Sequence, residues 1–136
     1  MCIDTNTWRM IHGNKANKSS EVVPPGRHSH TSVVFDQAMW VYGGMTDLTE
    51  RSDLWKLDLG IFFVCAKKYV NSNLNHFLHI KKVTLQWSSV KCKPAGPGPL
   101  HGHSAVRVRS HMLVIGGEKQ GNLSAEVWRF HFRNLI

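Results

Sequence analysis

The chain has 136 residues, of which 42% are hydrophobic and 19% are charged, and its formal net charge at pH 7 is +8. This composition is typical of a globular domain and excludes disorder, collagen and coiled coil as descriptions of the whole chain. No apolar stretch reaches the roughly 18 residues of a membrane helix, and the first residues lack the charged and apolar regions of a secretory signal. We therefore expect a cytoplasmic or nuclear protein without a membrane partner.

Half of the net positive charge comes from one stretch of the chain. Residues 61–86 contain four lysines and no acid. The remainder is only mildly basic, and no nucleic-acid-binding module is recognisable, so we expect no nucleic-acid partner. The lysines are Lys67, Lys68, Lys81 and Lys82.

Short runs rich in β-branched and aromatic residues follow one another along the chain, and turn-forming residues bound them. This pattern predicts β-strands. The first three runs are HTSVVF (30–35), AMWVYGG (38–44) and DLWKLDL (53–59). A fourth run, LQWSSVKC (85–92), carries Trp87, and a similar run at 4–11 carries Trp8. The last three runs are HSAVRV (103–108), HMLVIGG (111–117) and AEVWRFHF (125–132).

The last three runs repeat the first three at a constant distance. The His residues, the Gly-Gly pair and Trp55 of the first set recur 73 positions later. With the Trp-bearing fourth run, a complete unit has four strands, which is the number in a propeller blade. The recurring pairs are His28 and His101, His30 and His103, Gly43 and Gly116, Gly44 and Gly117, and Trp55 and Trp128.

This pattern resembles the kelch repeat, which has a His-containing first strand, a hydrophobic second strand ending in Gly-Gly, and two spaced tryptophans. The resemblance implies an all-β fold, an incomplete kelch-type β-propeller of about two to three four-stranded antiparallel blades. It covers most of the chain outside residues 61–86. Its motif residues here are His30, Gly43, Gly44, Trp55, Trp87, His103, Gly116, Gly117 and Trp128.

The resemblance also divides the chain into blades and linkers. Because propellers close with about four to eight blades, we expect a fragment or truncated isoform that is able to self-associate through open blade edges. The expected parts are the end of a blade (1–11), a linker (12–26), a blade interrupted at about 60–85 (27–92), a second linker (93–99) and a partial blade (100–136).

The interruption accounts for a spacing that exceeds the kelch period of about 50 residues. Of the 26 residues 61–86, 13 are Phe, Tyr, Met, Ile, Asn or Lys, and none is Gly or Pro. These residue types have A/T-rich codons, so we hypothesise that the segment is translated intron or an alternative exon. Its apolar pattern permits either an added strand pair or a marginal helix. Because neither alternative has caps or a clear period, we expect the segment to be poorly ordered.

The histidines, cysteines and tryptophans could in principle bind a metal, react or stack on a ligand, but their pattern indicates structural roles. The paired histidines lie at i and i+2, a spacing that puts two ligands on one strand face, but both pairs recur at the same place in each unit. The three cysteines are widely spaced and odd in number, which indicates reduced thiols. The tryptophans recur at fixed positions of the repeat, which indicates that they pack between blades. We therefore predict no enzyme, no catalytic residue, no cofactor and no metal site.

The resemblance implies a module that binds an unidentified protein partner, because kelch propellers present loops from a rigid ring. The loops at 45–52 and 118–124 share one face of such a ring, and an adaptor role in a larger assembly such as a ubiquitin ligase follows by the same resemblance. The alternatives are a fragment of a metal-dependent redox or glycan-processing enzyme and a nonfunctional splice product. The candidate contact residues are Asp47, Glu50, Arg51, Lys119 and Gln120.

Overall fold

The computed structural model describes residues 8, 10–11, 22–70, 74–83, 85–93 and 95–133, and of 61–70 and 74–83 it describes the backbone. Within these ranges the chain forms thirteen strands and no helix, so the predicted all-β fold class is confirmed. The strands are β1 (Thr31–Phe35), β2 (Ala38–Tyr42), β3 (Met45–Thr46), β4 (Thr49–Glu50), β5 (Leu54–Asp58), β6 (Ile61–Val70), β7 (Leu74–Val83), β8 (Gln86–Val90), β9 (Ser104–Val108), β10 (His111–Ile115), β11 (Glu118–Lys119), β12 (Asn122–Leu123) and β13 (Val127–His131).

The four-stranded sheet has the order β1-β2-β5-β8, and all its pairs are antiparallel. Each strand alternates side chains between two faces, so Val33, Trp40 and Lys56 share one face through the β1-β2-β5 register. A two-residue turn at Asp36 and Gln37 joins β1 to β2, and both residues have positive φ (49° and 56°). That conformation matches the twist of the two strands.

The three-stranded sheet has the order β13-β10-β9, and it repeats the first three strands of the four-stranded sheet. β9, β10 and β13 begin and end 73 positions after β1, β2 and β5 respectively. The repeat seen in the sequence is therefore a repeat of strand geometry, and these small antiparallel sheets are consistent with part of a β-propeller.

A short hairpin follows the Gly-Gly pair in each sheet. β3 pairs with β4 and β11 pairs with β12. The second glycine of each pair has positive φ, 89° at Gly44 and 99° at Gly117. A Cβ atom on Gly44 would lie 2.6 Å from the carbonyl oxygen of His28, and one on Gly117 would lie 2.7 Å from that of His101. Glycine is therefore required for the bridges that His28 and His101 make with the hairpins.

The segment at the predicted interruption is a strand pair, the first of the two alternatives left open by the sequence. β6 and β7 form a separate two-stranded sheet whose register runs from Ile61↔Val83 to Val70↔Leu74. The flanking strands β5 and β8 pair directly with each other, with Asp58 opposite Gln86. The four-stranded sheet is thus continuous across the interruption.

The core lies between the two larger sheets. Val33, Trp40 and Leu54 of the four-stranded sheet are buried against Met112 and Val114 of the three-stranded sheet. The rings of Phe35, Phe130 and Phe132 cover one end of this core. Phe132 stacks on Phe35 with ring centroids 4.4 Å apart, and Phe130 and Phe132 both contact Trp40. Burial of these large apolar side chains is the main force that docks the two sheets.

No helix with the length and hydropathy needed to cross a bilayer occurs in the described part of the chain.

Candidate interaction surface

The two short hairpins lie side by side at one end of the sheets. The Glu50 carboxylate, at the end of β4, accepts a hydrogen bond from the backbone N–H of Gln120, and each carboxylate oxygen is 3.0 Å from that nitrogen. The His101 ring lies between two acids, with Nδ1 3.3 Å from Glu50 and Nε2 3.7 Å from Glu118. These contacts couple the β3-β4 hairpin to the β11-β12 hairpin, and residues 45–50 and 118–123 are called the hairpin surface below.

The linker between the sheets is fixed against the same region. Lys119 Nζ donates to the carbonyl oxygen of Pro97 at 2.8 Å, and the Tyr42 hydroxyl donates to that of Gly98 at 2.7 Å. Burial raises the pKa of the Tyr42 phenol, so the group remains a neutral donor at physiological pH. These two hydrogen bonds attach Pro97 and Gly98 of the linker to β11 and β2, beside the hairpin surface.

The five candidate contact residues have different environments. The contacts above bring Glu50, Lys119 and Gln120 together, where they join the hairpins and the linker. Arg51 is half-buried, and its Nε has no hydrogen-bond partner among the described residues. Asp47 is exposed in the β3-β4 turn, with φ of 46°. Their role in binding a partner stays a prediction.

Two leucines that the sequence analysis did not select are the most exposed apolar groups of this surface. Leu48 is 92% exposed in the turn of the first hairpin, and Leu123 is 90% exposed in the second. A cleft of about 400 Å³ lies beside Leu123, and mainly polar residues from Lys119 to Glu126 line it. The signal available in the sequence was an apolar residue inside each otherwise polar loop.

An ion pair fixes the approach to the first hairpin. The Arg27 guanidinium donates to both carboxylate oxygens of Asp53, at 2.7 and 2.9 Å, and also to the carbonyl oxygen of Gly43. The hydrogen bonds from Arg27 hold the pKa of Asp53 below its usual range. The repeat places Leu100, which is buried, where Arg27 stands, and Glu126 where Asp53 stands. A buried leucine thus stands before the second hairpin at the position where the first has the arginine of the ion pair.

The two motif histidines also differ in environment. His103 is 6% exposed, its Nε2 lies 2.7 Å from Thr31 Oγ1, and its ring meets the edge of the Tyr42 ring. Burial lowers its pKa. His30 is exposed, and its pKa is lowered first by desolvation and then by Arg27. His103 thus fills the space between the sheets, whereas His30 faces solvent.

The remaining motif residues show the opposite difference, because those of the four-stranded sheet are the more buried. Gly43 and Gly44 after β2 and Trp55 in β5 are buried, and Trp87 is half-buried in β8, opposite Leu57. In the three-stranded sheet Gly116 and Gly117 are half-buried, and Trp128 is 38% exposed. No group of three or more His, Cys, Asp or Glu side chains in the described ranges has an arrangement that would hold a metal ion.

The fold and this surface define an all-β repeat protein in which two successive sheets present paired hairpins at one end. No protein-family model matches the chain. The chain is similar to host cell factor 1 from Homo sapiens and from Mus musculus, and to host cell factor 2 from Homo sapiens, with 29% identity over 102 residues, or 71% of this chain. It spans 4% of the length of host cell factor 1 and 10% of that of host cell factor 2.

Proposed function

We propose that the chain is a kelch-type propeller fragment that binds a protein partner through the hairpin surface. The observation that carries this proposal is the coupling of the two hairpins by Glu50 and the Gln120 N–H. Because each hairpin is held by its neighbour, the two loops form one preorganised surface, and less conformational entropy is lost on binding.

The side chains of the surface favour a protein as the ligand. Leu48 and Leu123 are exposed apolar anchors surrounded by polar and charged groups, a combination typical of protein–protein contacts. The cleft beside Leu123 is mainly polar and open, whereas small-molecule sites are largely apolar and enclosed. Asp47 adds an exposed charge beside the first anchor.

The adaptor role and a cytoplasmic or nuclear location belong to the same proposal. Both rest on the kelch-like motif, and the similarity to host cell factors over 71% of the chain supports a relationship to longer proteins. The division into blades and linkers, with boundaries at about residues 12, 27, 93 and 100, is proposed on the same basis, and most of residues 1–26 lies outside the described part of the chain.

Site-specific photocrosslinking in cells tests the proposed surface. A photoreactive amino acid is placed at Leu48 or Leu123, with Arg109 as the control because it is exposed in the turn at the opposite end of the three-stranded sheet. We expect both leucine positions to crosslink the same protein and Arg109 to crosslink none of it. Equal labelling at all three positions, or no product at either leucine, would refute the proposal.

A further inference from the structure

The two larger sheets differ in charge at the end opposite the hairpin surface. At six positions spaced 73 residues apart, the four-stranded sheet has one lysine and two aspartates, whereas the three-stranded sheet has four arginines and two histidines. Because β1, β2 and β5 pair in the same order as β9, β10 and β13, these cations are not needed to form the sheet. The corresponding residues are Val34 and Arg107, Asp36 and Arg109, Ala38 and His111, Lys56 and Arg129, Asp58 and His131, and Gly60 and Arg133.

The six residues of the three-stranded sheet, called the basic end below, have no acidic counterpart. His111 and His131 lie opposite each other with ring centroids 4.5 Å apart, and Arg129 shares their face because it precedes His131 by two residues. Desolvation lowers the pKa of His111, and the charges of His131 and Arg129 lower it further. All four arginines are exposed, and none forms an ion pair with an acid among the described residues.

Arg109 lies in the β9-β10 turn in a backbone conformation that does not favour its side chain. Its φ is 55°, close to the 49° of Asp36 at the equivalent position. Aspartate enters this left-handed region more readily than a long side chain does. Arg107 Nη1 donates to the carbonyl oxygen of Arg109 at 3.3 Å and so supports the turn. An arginine at a position that suits aspartate is typical of a side chain that serves binding and not folding.

An oxyanion fits the basic end better than a metal ion does. The guanidinium of Arg129 beside the two histidine rings repels a metal cation, whereas arginine donates two parallel N–H bonds to a phosphate or a carboxylate. A phosphate monoester carries about −1.5 to −2 charge at pH 7 and three acceptor oxygens, so it offsets more of the positive charge than a carboxylate does. Neighbouring strands are about 4.8 Å apart, which lets side chains of the β9-β10 turn and of β13 reach one such group.

We propose that the basic end binds a phosphate monoester carried by a phosphorylated side chain of a protein partner. Arg109 and Arg129 donate to the phosphate oxygens, with the rings of His111 and His131 beside them. A phosphopeptide is the ligand because the cations form one compact cluster, whereas a nucleic acid presents a continuous row of phosphates. The basic end and the hairpin surface lie at opposite ends of the sheets. This ligand is therefore separate from the partner of the hairpin surface, and either proposal can fail alone.

Titration of the isotope-labelled full chain with the peptide Gly-Gly-phosphoserine-Gly-Gly, followed by nuclear magnetic resonance, tests the proposal. At peptide concentrations up to about 10 mM, which cover weak single-group affinities, we expect saturable shifts of the backbone N–H signals of residues 107–111 and 129–133. The same peptide with serine should cause none, and the peptide with glutamate should bind at least about fivefold more weakly. No saturable shift, or equal binding of the serine and phosphoserine peptides, would overturn the proposal.

Two further probes distinguish the sources of the phosphate group. Inorganic phosphate should compete with the phosphoserine peptide for the same signals. Binding of inorganic phosphate without binding of the peptide would assign the site to free phosphate and overturn the proposal. Saturation of these signals by a short DNA duplex at lower concentration than by the peptide would assign the site to nucleic acid and overturn it as well.

Substitutions taken from the four-stranded sheet test the arginines. Arg109→Asp should weaken peptide binding by at least about tenfold, while the free energy of unfolding in urea stays equal or rises because the backbone suits aspartate. Arg129→Lys keeps the charge but loses the paired N–H donors, so binding should weaken by about three- to fivefold. The control is Lys91→Glu, an equal charge change at an exposed residue after β8, at the hairpin end, and it should change binding by less than about twofold. Equal losses in Arg109→Asp and Lys91→Glu would show dependence on net charge alone and overturn the site.

Discussion

Phe132 is the residue whose removal should most directly separate the two larger sheets. Its side chain is 4% exposed, it stacks on Phe35 with ring centroids 4.4 Å apart, and it lies 5.0 Å from the Trp40 ring. Truncation of a buried phenylalanine to alanine costs about 3–5 kcal/mol through lost transfer energy and the cavity that remains. A domain of ordinary stability has a free energy of unfolding of about 5–15 kcal/mol. Phe132→Ala should therefore remove a large share of that free energy.

Urea unfolding followed by far-ultraviolet circular dichroism measures this loss. The control is Val34→Ala, because Val34 is 58% exposed and its truncation should change the free energy of unfolding by less than about 0.5 kcal/mol. A double-mutant cycle with Phe35→Ala isolates the ring pair, for which we expect a coupling of about 0.5–1.5 kcal/mol. A loss below about 1 kcal/mol for Phe132→Ala, or no coupling with Phe35, would refute the account of how the sheets dock.

Further predictions concern the backbone, protonation and the interruption. Gly44→Ala should cost at least about 2 kcal/mol in urea unfolding because of its positive φ and the close carbonyl, whereas Gly26→Ala, with no atom within 4 Å of the added Cβ, should be neutral. Burial lowers the pKa of His103, so the unfolded chain binds a proton at this residue more tightly than the folded chain. The free energy of unfolding should therefore keep its full value above about pH 6.5 and fall as the pH drops below that. His103→Gln should reduce this pH dependence, as measured by urea titrations at several pH values. The pKa of Asp53 is lowered mainly by the hydrogen bonds from Arg27, so stability should also fall below about pH 4. Arg27→Leu should reduce this loss, and an unchanged loss of stability in acid would contradict the ion-pair account. Long-read sequencing of transcripts should find messages without residues 60–85, and a single uninterrupted exon across that segment would refute the intron hypothesis.

The strands and their repeat could be predicted because both are local properties. Alternating apolar residues fix the faces of β1, β2 and β5, and the Gly-Gly pair marks where each second strand ends, so translation by 73 positions predicts β9, β10 and β13 as well. The strand pair β6-β7 could not be chosen over a helix because its apolar residues follow no single period.

Burial and contacts at the candidate surface could not be predicted, because they depend on which sheet lies next to each residue. His30 and His103 occupy the same motif position, yet His103 has Thr31 and Tyr42 of the preceding sheet beside its ring, whereas His30 is exposed among the described residues. Trp55 and Trp128 likewise share a position, but they are 8% and 38% exposed. The contact between Glu50 and Gln120 joins residues 70 positions apart, and nothing local in either loop specifies it.

The direct pairing of Asp58 with Gln86 gives the junction between β5 and β8 a practical use. The 27 residues between them leave and re-enter the sheet at neighbouring points, and Gly60 N–H bonds to the Asp58 carboxylate just where the chain departs. The entropic cost of closing a loop rises only slowly with its length. Inserted segments of very different lengths should therefore change the free energy of unfolding by similar amounts at this point. The junction is thus an insertion site for protein engineering. A fluorescent reporter, an epitope or a whole folded domain can be inserted there without altering the hairpin surface.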